Sequence, residues 1–133
     1  MHLMARAMIF EGSSAFQEIL KNIFCSRFPA VELLEALQEE KAMEEVESFL
    51  PDLILIDIRM PGNNALELTQ KIKSGHPEII VVLFASYDLP EYKEAAKRHG
   101  ADYFMVKDSP IQDYIALIES ILSNRGQAMK MTT

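Results

Sequence analysis

Four short apolar runs divide the chain, and each is nearly continuous rather than alternating with polar residues. They cover residues 7–10, 53–56, 79–84 and 103–106. Continuous runs of this length are typical of strands that are buried on both faces of a sheet. A fifth run, residues 31–37, mixes apolar and charged residues, which predicts an edge strand. The pattern therefore predicts five strands.

The segments between these runs carry apolar residues at helical spacing. Examples are Phe16, Leu20 and Phe24 after the first run, and Ala65, Leu68 and Ile72 after the third strand. Ser14 followed by Gln17 predicts the N-terminal cap of the first helix. Strands that alternate with helices form parallel sheets with right-handed crossovers. The predicted fold is therefore α/β and flavodoxin-like, a doubly wound (βα)5 sheet with the strand order 2-1-3-4-5.

This strand order also predicts where a ligand would bind. In such sheets the binding site lies outside the carboxyl ends of the strands, at the point where the order reverses between strands 1 and 3. The first strand ends at Glu11, the third at Asp57, the fourth near Ala85 and Ser86, and the fifth at Lys107. Two carboxylates, a small hydroxyl side chain and an amine are therefore expected to share one rim of the sheet.

Composition narrows the class of protein further. A chain of 133 residues with 49% hydrophobic residues is long enough for one compact domain, predicted here as residues 1–124. Residues 125–133 lack an apolar period and are predicted to form a flexible tail or the start of a linker. The net charge of −7 argues against direct nucleic-acid binding. Cys25 is the single cysteine and is predicted to be a core thiol on the first helix.

The chain also lacks the sequence features of membrane and exported proteins. No apolar run approaches the ~20 residues that a bilayer span needs. The N-terminal segment has no apolar centre of the kind that a signal peptide has. We therefore expect a cytoplasmic protein with no membrane association.

The string PDLILIDIRMPGNNALEL, residues 51–68, resembles the phosphoacceptor region of a response-regulator receiver domain. The string HGADYFMVKD, residues 99–108, is similar to the last strand of that family and its lysine. The resemblance covers nearly the whole chain. It implies a receiver in two-component phosphorelay signal transduction and no enzymatic activity beyond self-phosphorylation and autodephosphorylation at Asp57.

The resemblance implies a role for each residue of the rim. Asp57 would accept a phosphoryl group from a histidine kinase or a phosphotransfer protein. Glu11, Asp57 and the backbone carbonyl of Arg59 would hold Mg²⁺, and Lys107 would pair with the phosphoryl oxygens. Phe104 would be the aromatic residue that reports phosphorylation. The fourth helix, fifth strand and fifth helix would form the face for output or for a homodimer.

The sequence departs from the family at two positions, which leaves two functions open. Gly12 stands where the second acid of the family's usual pair would be, so Mg²⁺ binding should be weaker by at least about 10–100-fold. Ala85 stands where a Thr or Ser would bind the phosphate, with Ser86 one position later. The chain is either a phosphoacceptor or a pseudo-receiver, a phosphorylation-independent module for protein interaction or dimerisation. Glu11 is either a metal ligand or a surface acid beside a helix N-terminus.

Overall fold

The computed structural model describes residues 5–36, 41–59 and 65–132, with side chains up to residue 124. Within these ranges strands and helices alternate strictly along the chain. They are β1 (Arg6–Phe10), α1 (Ser14–Arg27), β2 (Glu32–Glu35), α2 (Ala42–Phe49), β3 (Leu53–Asp57), α3 (Ala65–Gly75), β4 (Ile80–Ala85), α4 (Pro90–Arg98), β5 (Tyr103–Val106) and α5 (Ile111–Thr132).

The five strands form one parallel sheet in the order β2-β1-β3-β4-β5. The predicted α/β, flavodoxin-like fold with strand order 2-1-3-4-5 is thereby confirmed. β3 lies at the centre of the sheet, and all five of its residues are buried. This burial on both faces explains why its sequence is a continuous apolar run.

Two separate apolar clusters cover the two faces of the sheet, because successive side chains of a strand point to opposite faces. The cluster on one face includes Phe84 from β4, with buried side chains of α1 and α5. The cluster on the other face includes its neighbour Leu83, with buried side chains of α2, α3 and α4. We call these the α1–α5 face and the α2–α4 face.

Two local predictions for α1 are wrong. The N-cap is Ser13, whose hydroxyl accepts a hydrogen bond from the backbone N–H of Phe16, and Ser14 is the first helical residue. Cys25 is exposed rather than a core thiol. It follows the buried Phe24 and therefore lies about 100° further round the helix, beyond the stripe that faces the sheet.

The last helix extends further than the apolar pattern predicted. α5 continues to Thr132, through most of the segment 125–133 that was predicted as a flexible tail. Gln, Ala, Met and Lys in this segment are good helix formers, so the helix can continue without an apolar period. The boundary of the domain at residue 124 stays a prediction. In the part of the chain that the structure describes, no helix has the length and hydropathy of a bilayer span.

A cluster of hydrogen bonds around Lys73 joins the amino ends of β4 and β5. The ammonium of Lys73, near the end of α3, donates to the backbone carbonyls of Pro77 at 2.9 Å and Ile79 at 2.8 Å. It also donates to Oδ2 of Asp102 at 2.9 Å, and the same oxygen accepts the N–H of Val81 at 2.8 Å. This cluster lies at the amino ends of the strands, whereas the predicted binding rim lies at their carboxyl ends.

Candidate functional site

One lysine side chain connects the two carboxylates at the carboxyl ends of the strands. Glu11 follows β1, Asp57 ends β3, and Lys107 follows β5. The ammonium of Lys107 donates to Oε1 of Glu11 at 2.7 Å and to Oδ2 of Asp57 at 2.9 Å. The backbone N–H of Lys107 donates to the carbonyl of Ala85 at 2.8 Å, which fixes its backbone beside β4. The structure therefore brings these three predicted residues together.

The Glu11 side chain is almost completely buried, with 1% of its surface exposed. Its Oε1 also accepts the backbone N–H of Ser13 at 2.9 Å, because the side chain turns back towards the start of α1. Its Oε2 is buried and has no hydrogen-bond partner among the described residues. Burial raises the pKa of Glu11, and the neighbouring charge of Asp57 adds to this effect, while Lys107 and Ser13 oppose it.

Both oxygens of the Asp57 carboxylate accept hydrogen bonds within the cluster of Glu11, Asp57 and Lys107, which we call the pocket. Oδ1 accepts the backbone N–H of Arg59 at 2.9 Å, and Oδ2 accepts the ammonium of Lys107. The Asp57 side chain is 12% exposed, so it is more accessible than Glu11. The side chain of Arg59 is exposed next to it.

The two acidic partners of Lys107 stabilise the charged form of its ammonium despite its partial burial. Burial alone would lower the pKa of Lys107, but the hydrogen bonds to Glu11 and Asp57 raise it above its usual value. The ammonium also lies 4.9 Å from the centre of the Phe16 ring, within the range of a cation–π interaction. The sequence pattern identified Phe16 only as an apolar helix residue. The signal that could have identified its contact with Lys107 is the position of this aromatic residue in the first turn of α1, close to the carboxyl end of β1.

The family resemblance predicts a switch that responds to phosphorylation at three residues, Ala85, Ser86 and Phe104. These switch positions lie in different surroundings. Ala85 is fully buried, Ser86 is exposed, and Phe104 is half-buried against the cluster of the α2–α4 face. A methyl group at Ala85 has no donor for a phosphoryl oxygen. The segment that joins the end of β3 to α3, residues 60–64, lies outside the described residues. It includes Asn64, which the sequence predicts as the N-cap of α3 because Glu67 follows three residues later.

The carboxylate oxygens of the pocket suit a hard divalent cation that takes only a few of its ligands from the protein. Glu11 and Asp57 converge on the Lys107 ammonium, and Oε2 of Glu11 is a buried acceptor that meets no donor within the described ranges. No group of three Asp, Glu, His or Cys side chains that could hold a metal occurs in the described ranges, and Gly12 provides no side-chain ligand. Mg²⁺ is commonly held by one or two carboxylates and keeps several waters. The predicted magnesium ion is therefore compatible with the residues present.

Comparison with known proteins gives concordant matches in sequence and in structure. A family model described as the response regulator receiver domain matches residues 7–119. The protein-glutamate methylesterase/protein-glutamine glutaminase 2 of Paramagnetospirillum magneticum is 34% identical over 106 residues, which cover 80% of this chain and 30% of the relative. The transcriptional regulatory protein DegU of Brevibacillus brevis is 29% identical over 114 residues, 86% of this chain and 47% of the relative.

A solved structure shares the fold. The response regulator receiver domain protein (CheY-like) from Methanospirillum hungatei JF-1 has a TM-score of 0.81 and 22% identity, covering 94% of this chain and 98% of that chain. The chain spans less than half the length of the two curated relatives. The family match covers most of the chain and includes Asp57 and Lys107. The chain therefore belongs to the response regulator receiver domain family, a group of signalling modules of two-component systems.

Proposed function

We propose that the chain accepts a phosphoryl group on Asp57 from the phosphohistidine of a histidine kinase or a phosphotransfer protein. The observation that carries the proposal is the ammonium of Lys107, which bonds to the carboxylates of both Asp57 and Glu11. A carboxylate can approach a phosphoryl group only where its charge is compensated. This lysine supplies a fixed compensating charge beside the accessible acid.

In the transfer step, a carboxylate oxygen of Asp57 forms a bond to phosphorus while the phosphorus–nitrogen bond of the phosphohistidine breaks. The electron pair of that bond stays with the histidine nitrogen, which leaves. Lys107 donates hydrogen bonds to the phosphoryl oxygens as a compact point charge. The backbone N–H of Arg59 keeps the second carboxylate oxygen of Asp57 in place.

Glu11, Asp57 and the carbonyl of Arg59 would hold the magnesium ion in this proposal. When bound, Mg²⁺ compensates charge on the phosphoryl oxygens and on the acids. Its affinity should be low, because Gly12 supplies no carboxylate and Lys107 already occupies one oxygen of each acid.

A titration with Mg²⁺, in the presence and absence of beryllofluoride, tests the proposal. Beryllofluoride mimics a phosphoryl group, and ¹⁹F NMR detects its adduct. We expect an adduct in the unaltered chain and none in Asp57→Asn. The matched control is Asp88→Asn, since Asp88 is exposed in the segment after β4. The absence of an adduct in the unaltered chain at millimolar Mg²⁺ would contradict phosphoryl acceptance.

A second candidate function is a pseudo-receiver that binds a partner without phosphorylation. Gly12 and Ala85 favour it, because one removes a metal ligand and the other removes a donor to the phosphate. In this case Asp57→Asn should leave partner binding unchanged. The surface formed by α4, β5 and α5 is the proposed site for an output partner or a homodimer, and the exposed Tyr103 and Ile111 support this choice.

Restoring the missing acid should strengthen metal binding. We expect Gly12→Asp to raise the affinity for Mg²⁺ by about 10–100-fold, since it adds a carboxylate beside Glu11. Isothermal titration calorimetry measures the change. Gly75→Asp is the control, because Gly75 ends α3 and an added Cβ meets nothing within 4 Å. If both variants bind Mg²⁺ equally, position 12 does not face the metal. If affinity rises and cellular output stays constant, the pseudo-receiver is favoured.

A further inference from the structure

Lys107 contacts a residue of the α1–α5 face, Phe16, and this contact does not include any of the switch positions. Ala85 offers a methyl group, and Phe104 packs on the α2–α4 face. On the opposite face, the ring of Phe16 lies against the ammonium of Lys107. We propose that Phe16 is a positioning residue for Lys107, and that its ring transmits the position of the ammonium to α5. The inference rests on the proposed phosphoryl acceptance for its role in signalling.

The Lys107 ammonium is constrained from three directions. It donates to Glu11 at 2.7 Å and to Asp57 at 2.9 Å, which uses two of its three N–H groups. The centre of the Phe16 ring lies 4.9 Å from the same nitrogen. Lys107 is 16% exposed and Phe16 is buried, so water weakens this cation–π interaction less than at an open surface. The ring therefore restricts the ammonium to the side of the pocket where the two acids meet.

Phe16 belongs to a triangle of buried rings that ends on α5. Its ring centroid lies 5.3 Å from that of Phe84 on β4 and 5.8 Å from that of Tyr114 on α5, both in edge-to-face orientation. Phe84 and Tyr114 are 5.5 Å apart. Contacts of this geometry are specific as well as apolar. Each ring therefore contacts the other two, and a shift of one alters the packing of both.

A hydrogen bond also connects the triangle to the end of β5, directly before Lys107. The hydroxyl of Tyr114 donates to the carbonyl of Val106 at 2.6 Å, and Val106 precedes Lys107. The side chain and the backbone of this segment therefore both connect to the same rings. A phosphoryl group on Asp57 would give the ammonium new acceptors, so the ammonium would move relative to Glu11 and Phe16. Close-packed rings transmit such a movement to α5 because they leave no free space to absorb it.

The first test needs no phosphorylation. In the NMR spectrum of the unliganded protein, we expect the ε-methylene protons of Lys107 to be shifted upfield by the Phe16 ring. The shift should disappear in Phe16→Leu and persist in Phe16→Tyr. Phe24→Leu is the matched control, because Phe24 is buried on the same helix and pairs with Phe28. An unchanged Lys107 signal in Phe16→Leu would overturn the inference, whatever the result for phosphoryl acceptance.

The second test measures the role of Phe16 in the adduct. We expect Phe16→Leu to weaken beryllofluoride binding by about 3–30-fold, and Phe16→Tyr to retain it. Formation of the adduct should shift the amide signals of Tyr114 and Ile118 in the unaltered chain but not in Phe16→Leu. Equal losses of affinity in Phe16→Leu and Phe24→Leu would mean a general packing effect and would overturn the inference. Absence of an adduct in the unaltered chain contradicts the proposed function alone.

Discussion

Lys107→Met should lower the free energy of unfolding by about 3 kcal/mol at pH 7.5 and weaken beryllofluoride binding at least about tenfold. The stability loss is expected because Glu11, at 1% exposure, and Asp57, at 12%, would face each other without a cation. Removal of one partner from a buried ion pair leaves a charge that water cannot solvate. Urea unfolding measures the first effect, and ¹⁹F NMR measures the second.

The loss of stability in Lys107→Met should depend on pH in a defined direction. Burial already raises the pKa of Glu11 above its ordinary value of 4.5, and loss of Lys107 removes a partner that lowers it. The folded variant then binds more protons than the unfolded chain above pH 4.5. The stability of the variant should therefore fall as the pH rises from 4.5 through the folded-state pKa, so the deficit is smallest in acid.

The control for this experiment is Lys93→Met, which removes an exposed lysine from α4. Its free energy of unfolding should change by less than about 0.5 kcal/mol at every pH. If Lys107→Met matches the unaltered chain in stability at pH 7.5, the charges of Glu11 and Asp57 do not need Lys107 to compensate them in the folded protein. A deficit that grows towards acid pH would contradict the assigned role of Glu11.

Lys73→Met should destabilise the fold by about 2–4 kcal/mol without affecting the pocket. Methionine keeps the apolar stem but loses three hydrogen bonds, to Pro77, Ile79 and Asp102. The carbonyls of Pro77 and Ile79 and the Asp102 carboxylate would lose a charged donor at the amino ends of β4 and β5. Asp57 and Lys107 lie at the carboxyl ends of the strands, away from this cluster. Beryllofluoride affinity should therefore stay within about twofold of the unaltered value at temperatures where the variant is folded.

The exposed Lys71 on the same helix provides the control, as Lys71→Met should be nearly neutral. A double-mutant cycle with Asp102→Asn isolates the pair, and we expect a coupling energy of at least about 1 kcal/mol. Additive losses would assign the stabilisation to the backbone carbonyls instead of Asp102. A large loss of adduct affinity in Lys73→Met would contradict the independence of the two ends of the sheet.

The fold could be predicted from the sequence because its strands are buried on both faces. Continuous apolar runs mark such strands, and their ends place Glu11, Asp57 and Lys107 at one rim before any side chain is positioned. The convergence of these three side chains follows from topology, so it was predictable. The alternation with helices predicted a parallel doubly wound sheet, and the number of strands, five, favoured the order 2-1-3-4-5.

The details that could not be predicted depend on rotamers and on single-residue shifts. The cap falls at Ser13 instead of Ser14 because the length of the turn after β1, invisible in the apolar pattern, decides where α1 begins. Cys25 differs from its buried neighbour Phe24 by one step round the helix. The contact of Phe16 with Lys107 joins side chains from two segments that are far apart in the sequence. A local sequence pattern therefore does not predict it.

The distances along the chain between the pocket residues have a consequence for synthesis. Lys107 is 96 residues from Glu11 and 50 residues from Asp57. A nascent chain that has emerged from the ribosome only as far as β4 carries both acids but lacks the cation that joins them. The three joined side chains are therefore all present only once the chain has been made past the last strand, after the other four strands. Under the proposed function, an unfinished chain could not take phosphoryl groups from a phosphohistidine donor.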